Sequence, residues 1–362
     1  MTPAELSLTV VRAVRSAVDE GVLCVDVPAG RDVKVERPRP GGVGDYASPV
    51  ALKLAAASGL APRAVAEALR GRLADAPGVA RVDISGPGFL NFTLDAASAQ
   101  DEHVRLVRTV LALGPRYGHG DALAGQHIAF APVDEPRALA VTSAAVELLR
   151  SQGATAEIGS YGNERPHVLP DQGGLPDLVG PEAARWAYLR AAPHDRPAPA
   201  AELLAQRDSN PYFRVRYAYT RTRALTRNAH ALGFTSAPGD LGPVAGPTAT
   251  GAVGREAAPG PAANPGPAAN PGPTATGVDL LTHLADHPPT LLRAAELRAP
   301  DRVARHLEGV ADALLDFQHC VLPLGDEKPL AAHRARLALA EAAGAVLAGG
   351  LSLFGIRVPE YL

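Results

Sequence analysis

A tract rich in proline, glycine and alanine, residues 242–277, most limits how this chain can fold. The hexapeptide Gly-Pro-Thr-Ala-Thr-Gly occupies 246–251 and again 272–277, and two copies of Pro-Ala-Ala-Asn-Pro-Gly lie between them. Such a segment has too little apolar surface to offset the entropy lost on ordering its backbone. We therefore expect a disordered insertion here, after which helical periodicity resumes at Val303.

Composition and charge exclude several classes of protein. The chain has 362 residues, 46% hydrophobic and 20% charged, enough for two or three domains. Its net charge of −3 gives no overall basic field, so nucleic-acid binding must rest on local clusters. Two distant cysteines, Cys24 and Cys320, rule out a disulfide framework and a cysteine-rich zinc site. With no signal-peptide pattern and no apolar run near the roughly 18 residues of a membrane span, we expect a cytoplasmic protein without a membrane partner.

Periodicity divides the sequence into three parts. Residues 1–117 combine helical patterns with a hairpin signal and predict a small α+β domain. Residues 118–208 contain one β-α-β fragment, with a strand at 128–130, a helix at 139–152 and a strand at 156–158. Residues 209–362 predict an all-α bundle with the disordered insertion at 238–277. The expected fold class is multidomain, with an α+β N-terminal domain, a reduced α/β middle segment and a C-terminal helical bundle.

A predicted helix over 211–232 carries the clearest charge pattern. It begins after Asn210, an N-cap residue, with proline at the first helical position. One stripe is expected to face the core and consists of Val215, Ala218, Thr222, Leu225, Ala229 and Leu232. The opposite stripe holds Arg216, Tyr219, Arg223 and Arg227, and residues 210–234 include no acidic side chain. Such a row can pair with phosphates and stack on unpaired bases, although periodicity alone favours a solvated face in an arginine-rich chain.

Four motifs resemble those of arginyl-tRNA synthetases. Residues 210–221, Asn-Pro-Tyr-Phe-Arg-Val-Arg-Tyr-Ala-Tyr-Thr-Arg, resemble the family's N-P-x-x-Y-V-Q-Y-A-H-A-R helix, and residues 353–362 resemble its L-L-G-I-x-x-P-E-x-M ending. Residues 45–55 resemble D-Y-A-S-N-x-A-L-x-L-A, and residues 86–92 resemble G-P-G-F-I-N-F. The motifs follow the family's order. The resemblance implies an N-terminal domain that contacts the tRNA elbow and a C-terminal DALR-type anticodon-binding domain.

The middle of the chain departs from that family. Its members form an aminoacyl-adenylate on a doubly wound domain that carries a His-x-Gly-His element and a lysine loop. Neither element is visible here, and no lysine occurs between Lys53 and Lys328. Residues 131–140 only weakly resemble the loop that precedes the family's His-x-Gly-His element. Residues 179–188 resemble the segment that follows the family's active site. The 91 residues from 118 to 208 are fewer than the more than ~100 that two βαβαβ halves need, so we expect a catalytic-domain remnant.

Two departures affect the candidate sites. Arg216 and Tyr219 replace the glutamine and histidine of Q-Y-A-H-A-R, so anticodon specificity does not follow from the resemblance.

The family's contact with the tRNA elbow points to the hairpin face with Phe89 and Asn91 as a second candidate site, although these two residues could instead be a turn-closing pair. The histidines have no recognised metal-ligand spacing: His283, His287, His306 and His333.

The expected function is RNA binding without catalysis, with arginine tRNA as the first candidate partner and with no catalytic residue, cofactor or metal. The candidate RNA-binding residues are Arg214, Arg216, Tyr217, Tyr219, Arg221, Arg223, Arg227, Phe89 and Asn91. Residual arginine-tRNA ligase activity is one alternative. A protein-interaction module that partners a synthetase or another translation component is the other.

Overall fold

The computed structural model describes residues 3–29, 33–36, 38, 43–171, 174–242 and 277–358. Most of the insertion predicted at 238–277 lies outside these residues, as do residues 359–362 of the C-terminal motif. Packing divides the chain into two units, Met1–Arg105 and Leu106–Leu362.

The first unit has an α+β fold. Its helices and strands are α1 (Pro3–Asp19), β1 (Tyr46–Ser48), α2 (Val50–Ser58), α3 (Pro62–Ala74), β2 (Val79–Ser85) and β3 (Phe89–Leu94). The strands form an antiparallel sheet in the order β1-β3-β2, and the pairing of β2 with β3 confirms the predicted hairpin. Apolar side chains from the helices and the sheet, among them Leu6, Leu69 and Phe92, form the core of this unit.

Two of the motifs have packing roles in this unit. Asp45 accepts a hydrogen bond from the backbone of the last residue of β3, and a Cβ at the preceding Gly44 would lie 2.7 Å from the Phe92 carbonyl oxygen. A Cβ at Gly88 would lie 2.8 Å from the Pro62 carbonyl oxygen. Both glycines have positive φ angles, so glycine is the residue that fits each position.

The second unit is mainly helical. A helix that begins before the boundary, α4 (Ala96–Leu113), leads into a 3-10 turn at Gly114–Arg116. The remaining elements are β4 (His127–Phe130), α5 (Pro136–Ser151), β5 (Thr155–Ile158), α6 (Leu175–Val179), α7 (Pro181–Arg190), α8 (Ala200–Leu203), α9 (Pro211–Ala231), α10 (Gly277–Leu297), α11 (Pro300–Phe317) and α12 (Ala331–Leu353). Strands β4 and β5 pair in parallel on either side of α5, which confirms the predicted β-α-β fragment.

One hydrophobic core runs through the second unit. Buried side chains of α5 and α7 belong to the same cluster as those of α9, α10, α11 and α12. Trp186 of α7 is 1% exposed, and its ring centroid lies 5.8 Å from Tyr212 and 6.1 Å from Phe354. The middle segment therefore shares a core with the helical bundle, and domain boundaries at 117/118 and 208/209 stay a prediction.

Helix α10 is not predicted by the sequence, in which helical periodicity returns only at Val303. The helix contains Pro288 and Pro289, and prolines inside a helix remove backbone donors and normally end it. Thr290, which follows the two prolines, donates its hydroxyl to the carbonyl of Asp286 at 2.7 Å. Burial of the helix in the bundle outweighs the local cost of the prolines.

Helix α12 is long and apolar enough to cross a membrane by length and composition. Within its most apolar window, however, 72% is buried inside the fold. Such burial is typical of the central helix of a bundle, and the described residues include no other helix that passes this test.

Candidate nucleic-acid interface

Helix α9 begins as the sequence predicts. The Asn210 side-chain oxygen accepts hydrogen bonds from the backbone N–H groups of Tyr212 and Phe213, at 3.0 and 3.3 Å. Its amide nitrogen donates to the carbonyls of Leu203 and Ala205, at 2.8 and 2.9 Å. This N-cap therefore fixes both the start of α9 and the path of the chain that leads into it.

The buried face of α9 matches the prediction with one correction. The buried residues are Tyr212, Val215, Ala218, Thr222, Leu225 and Ala229. Leu232, predicted to be core, is 51% exposed because the helix has ended and residue 232 is its C-cap. The arginine side chains consequently lie on the remaining circumference of the helix.

Two of the predicted arginines are engaged with α11 and the turn after it. The Nε of Arg214 lies 3.0 Å from an Asp312 carboxylate oxygen, and the Nε of Arg221 donates to the Gln318 side chain at 2.5 Å. Burial raises the pKa of Asp312, and the Arg214 guanidinium opposes that rise. These contacts tie α9 to α11 through Arg214 and Arg221, and a phosphate contact from either arginine stays a prediction.

Arg216 has a different environment. Its guanidinium lies over the Tyr212 ring, 5.3 Å from the centroid, in a cation–π arrangement. Burial raises the pKa of Tyr212, and Arg216 counteracts the rise. The Arg216 Nε is buried without a hydrogen-bond partner among the described residues. Arg216 is thus half-buried, with its charge supported by an aromatic ring.

The aromatic residues of the candidate site are partly exposed to solvent. Tyr217 is 38% exposed, and its ring stacks on Phe213 with centroids 5.8 Å apart and planes 8° from parallel. Tyr219 is half-buried and packs against the main core. The pair of Phe213 and Tyr217 therefore presents a stacked aromatic surface near the start of α9.

Arg223 and Arg227 are exposed on α9. Arg223 makes no ion pair or hydrogen bond with any described residue. Together with Tyr219 it lines a cleft of about 390 Å³ between α9, α12 and the 3-10 turn. The other lining residues are Pro115, Thr222, Thr226, Glu341, Gly344, Ala345 and Ala348.

Sequence reasoning missed Glu341, which lies across this cleft from α9. The Thr226 hydroxyl donates to one Glu341 carboxylate oxygen at 2.9 Å. The helices approach closely because a Cβ at Gly344 would lie 2.6 Å from the Thr222 hydroxyl oxygen. Glycines inside the alanine-rich α12 were the available signal of a close helix–helix contact, but they do not identify the partner helix.

The hairpin residues Phe89 and Asn91 lie in the first unit. The Asn91 side chain is 4% exposed, and its amide donates to the Ser85 hydroxyl at 2.7 Å and to the Phe89 carbonyl at 3.4 Å. Asn91 thus makes the contacts of a turn-closing residue, while the Phe89 side chain is 38% exposed. A role for either in RNA binding stays a prediction.

A polar network fills the N-terminal end of α5, where the remnant of the catalytic domain is expected. The Glu135 carboxylate accepts from the backbone N–H groups of Arg137, Ala138 and Asp171, at 3.1, 2.6 and 2.8 Å. The Tyr188 hydroxyl donates to the Asp171 carboxylate at 2.7 Å, and burial raises the pKa of that hydroxyl. The Glu135 carboxylate therefore occupies the N-terminus of α5, a position of the kind that binds phosphate in nucleotide-binding folds.

Arg137 stabilises the backbone next to this network. Its side chain is fully buried and donates to backbone carbonyls at 2.8 to 3.2 Å, those of Leu169, Ala191, Ala192 and Asp195. Burial lowers the pKa of the guanidinium. In the described part of the chain, no three His, Cys, Asp or Glu side chains are arranged to hold a metal ion.

Comparison with known proteins identifies both ends of the chain. The family described as "Arginyl tRNA synthetase N terminal domain" matches residues 7–94, and the "DALR anticodon binding domain" matches residues 261–362. A Frankia alni protein named arginine-tRNA ligase is 28% identical over 583 residues, which include 99% of this chain and all of that protein. Since this chain has 362 residues, at least 221 of those positions have no counterpart in it.

A second relative matches more closely over a shorter stretch. The arginine-tRNA ligase of Renibacterium salmoninarum is 42% identical over 177 residues, which are 45% of this chain and 31% of that protein. The solved structure of Thermus thermophilus arginyl-tRNA synthetase superposes with a TM-score of 0.60 at 14% identity and covers 100% of both chains. The fold is therefore multidomain, with an N-terminal α+β region and a C-terminal DALR helical domain, and both ends of the chain are similar to the corresponding domains of arginyl-tRNA synthetases.

Proposed function

We propose that this chain binds tRNA without charging it, acting in the cytoplasm with arginine tRNA as the first candidate. The observation that carries the proposal is the surface of α9, where Arg216, Arg223 and Arg227 follow one another on a helix without acidic residues. Such a local cluster stands out in a chain whose net charge is −3. The match to an anticodon-binding domain in the helices that pack against α9 supports the same function.

The middle segment supports the loss of catalysis. Adenylate chemistry needs a site that stabilises charge on a nucleoside triphosphate. In this chain Glu135 accepts the backbone hydrogen bonds at the start of α5, so a second anion there would meet a negative charge. This chain also lacks a counterpart for at least 221 positions of the Frankia protein, and this difference in length supports the loss of catalysis as well.

Fluorescence anisotropy with three RNAs tests the binding. Arginine tRNA, an unrelated tRNA and a non-tRNA hairpin are titrated at two salt concentrations. The triple variant R216A/R223A/R227A is expected to weaken tRNA binding at least tenfold and to reduce the salt slope by about 2 to 3, since each of the three lost phosphate contacts removes roughly 0.7 to 0.9.

A matched variant controls for the change in charge. Arg165, Arg293 and Arg302 are exposed arginines that are not part of α9, and the variant R165A/R293A/R302A is expected to leave the affinity within a factor of two. Equal losses in both variants, or none in the first, would remove α9 from the binding surface. Absence of tRNA binding at both salt concentrations would favour the protein-interaction alternative.

Residual ligase activity is tested separately. We expect no arginine-dependent exchange of pyrophosphate into ATP above the level without protein. Exchange that requires arginine would overturn the non-catalytic part of the proposal and leave the tRNA-binding part in place.

A further inference from the structure

The cleft between α9 and α12 holds two opposite charges that do not neutralise each other. Arg223 and Glu341 both line it, yet the two side chains form no ion pair. One Glu341 oxygen accepts from Thr226, and no described residue donates to the other. The cleft therefore offers a cation, a carboxylate acceptor and the Tyr219 ring in a volume of about 390 Å³.

The walls of this cleft are fixed by close packing. The Thr222 hydroxyl donates to the Tyr219 carbonyl at 2.7 Å, and Gly344 allows α12 to lie directly against it. Gly349, one and a half turns further along α12, is closely approached by the carbonyl of Pro115, a residue that also lines the cleft. A site held in this way is preformed, which reduces the entropic cost of binding.

We propose that this cleft binds one unstacked nucleotide and selects guanine. Arg223 binds the phosphate, the Tyr219 ring contacts the base, and the Glu341 carboxylate accepts hydrogen bonds from the N1–H and N2–H groups of guanine. The inference deepens the proposed RNA binding and rests on it. The cleft volume lies within the range of small-molecule sites, and a nucleotide combines the anionic and donor groups that this lining complements.

The choice of guanine follows from the carboxylate. Guanine alone presents two adjacent N–H donors on its Watson–Crick edge. Cytosine and adenine place a ring acceptor beside their amino group, and the N3–H of uracil lies between two carbonyl oxygens. A carboxylate repels those acceptors, and a good bidentate contact discriminates by about 10- to 100-fold.

Binding of short RNAs to the full-length protein tests this assignment. Uridine hexamers that carry one central guanosine, adenosine or cytidine are compared with the all-uridine hexamer. We expect the guanosine hexamer to bind 10- to 100-fold more tightly. E341Q is expected to abolish this preference, while its amide oxygen still accepts from the Thr226 hydroxyl and preserves the fold.

Two further variants separate the roles of the cleft residues. R223A is expected to weaken all hexamers by a similar factor, because it removes the phosphate contact common to them. E296Q, an equal charge change on the exposed surface of α10, is expected to leave the preference intact. A guanine preference that persists in E341Q, or equal binding of all four hexamers to the unmodified protein, would overturn the assignment.

The same titrations show whether the ligand is a free nucleotide or a base within RNA. They also separate a failure of the guanine assignment from a failure of the proposed tRNA binding. GMP that binds as tightly as the guanosine hexamer identifies a free nucleotide as the ligand, whereas much weaker binding of GMP identifies a base within RNA. Base-independent hexamer binding together with tRNA binding that the triple arginine variant weakens refutes only the guanine assignment. Guanine-selective binding without tRNA binding refutes only the proposed function.

Discussion

A cluster of histidines between α10 and α11 makes the second unit sensitive to acid. His287 and His306 stack with ring centroids 5.2 Å apart, and His283 lies edge-on to His306 at 6.1 Å. His287 also stacks on Tyr117 at 5.9 Å. The Nδ1 of His287 and the Nε2 of His306 are buried without a hydrogen-bond partner among the described residues, so protonation would place unpaired charges in the core.

The size of the effect follows from the two pKa values. Burial, with the nearby His306 and His119, lowers the pKa of His287 to about 3. Burial, with His283, lowers the pKa of His306 to about 4. Both histidines take up a proton on unfolding, where their pKa is about 6.5, so stability falls as the pH drops below that value. At pH 5 each costs about 2 kcal/mol, and the loss ceases to grow below the folded pKa values.

Urea unfolding at pH 7.5 and at pH 5 measures this loss. Trp186 is the only tryptophan and is buried in the second unit, so its fluorescence reports on the unit that contains the histidines. We expect the free energy of unfolding to fall by about 4 kcal/mol between the two pH values, a large part of a typical total of about 5 to 15.

The double variant H287F/H306F separates these histidines from other titrating groups. Its free energy of unfolding is expected to change by about 4 kcal/mol less between the two pH values than that of the unmodified protein. A variant with the same pH dependence as the unmodified protein would refute the reasoning, because the acid sensitivity would then arise elsewhere.

Three further predictions concern stability, measured by urea unfolding followed by far-UV circular dichroism, which reports on the helices of both units. N210A should cost about 2 to 3 kcal/mol, because it removes the helix cap and two buried donors, and a loss below about 0.5 would contradict the capping role. G344A should cost about 1 to 3 kcal/mol, since its methyl group meets Thr222, whereas G71A, a helical position with open space, should be neutral or stabilising by up to about 1. R137M should cost about 3 kcal/mol or more because four carbonyls lose their donor, and an unchanged midpoint would show that water replaces the guanidinium.

The sequence predicts those elements whose pattern is local. Helix α9, its N-cap and most of its buried face follow from a periodicity that needs no knowledge of neighbouring elements. The hairpin of β2 and β3 follows from its turn residues in the same way. Helix α10 does not follow from the sequence, because Pro288 and Pro289 oppose a helix locally and only burial against the rest of the bundle stabilises it.

The candidate site shows the same division between local and distant information. The arginine row on α9 is visible in the sequence, but the sequence does not say which arginines find a partner. Asp312 and Gln318 engage two of them from α11 and the turn beyond it, about 100 residues along the chain. Glu341 joins the cleft from a still more distant helix, so neither it nor the cleft could be assigned from spacing alone.

The loss of catalysis that we propose is compatible with a well-packed fold, because the middle segment pairs its helix N–H groups and loop carbonyls internally. A shortened nucleotide-binding domain would expose helix N–H groups and loop carbonyls that a ligand or further strands had covered. Glu135 accepts the N–H groups at the start of α5, and Arg137 donates to the carbonyls of the loops around it. Trp186 then joins this segment to α9 through Tyr212. The middle segment consequently supports the first turn of α9, which gives this segment a structural role independent of any catalysis.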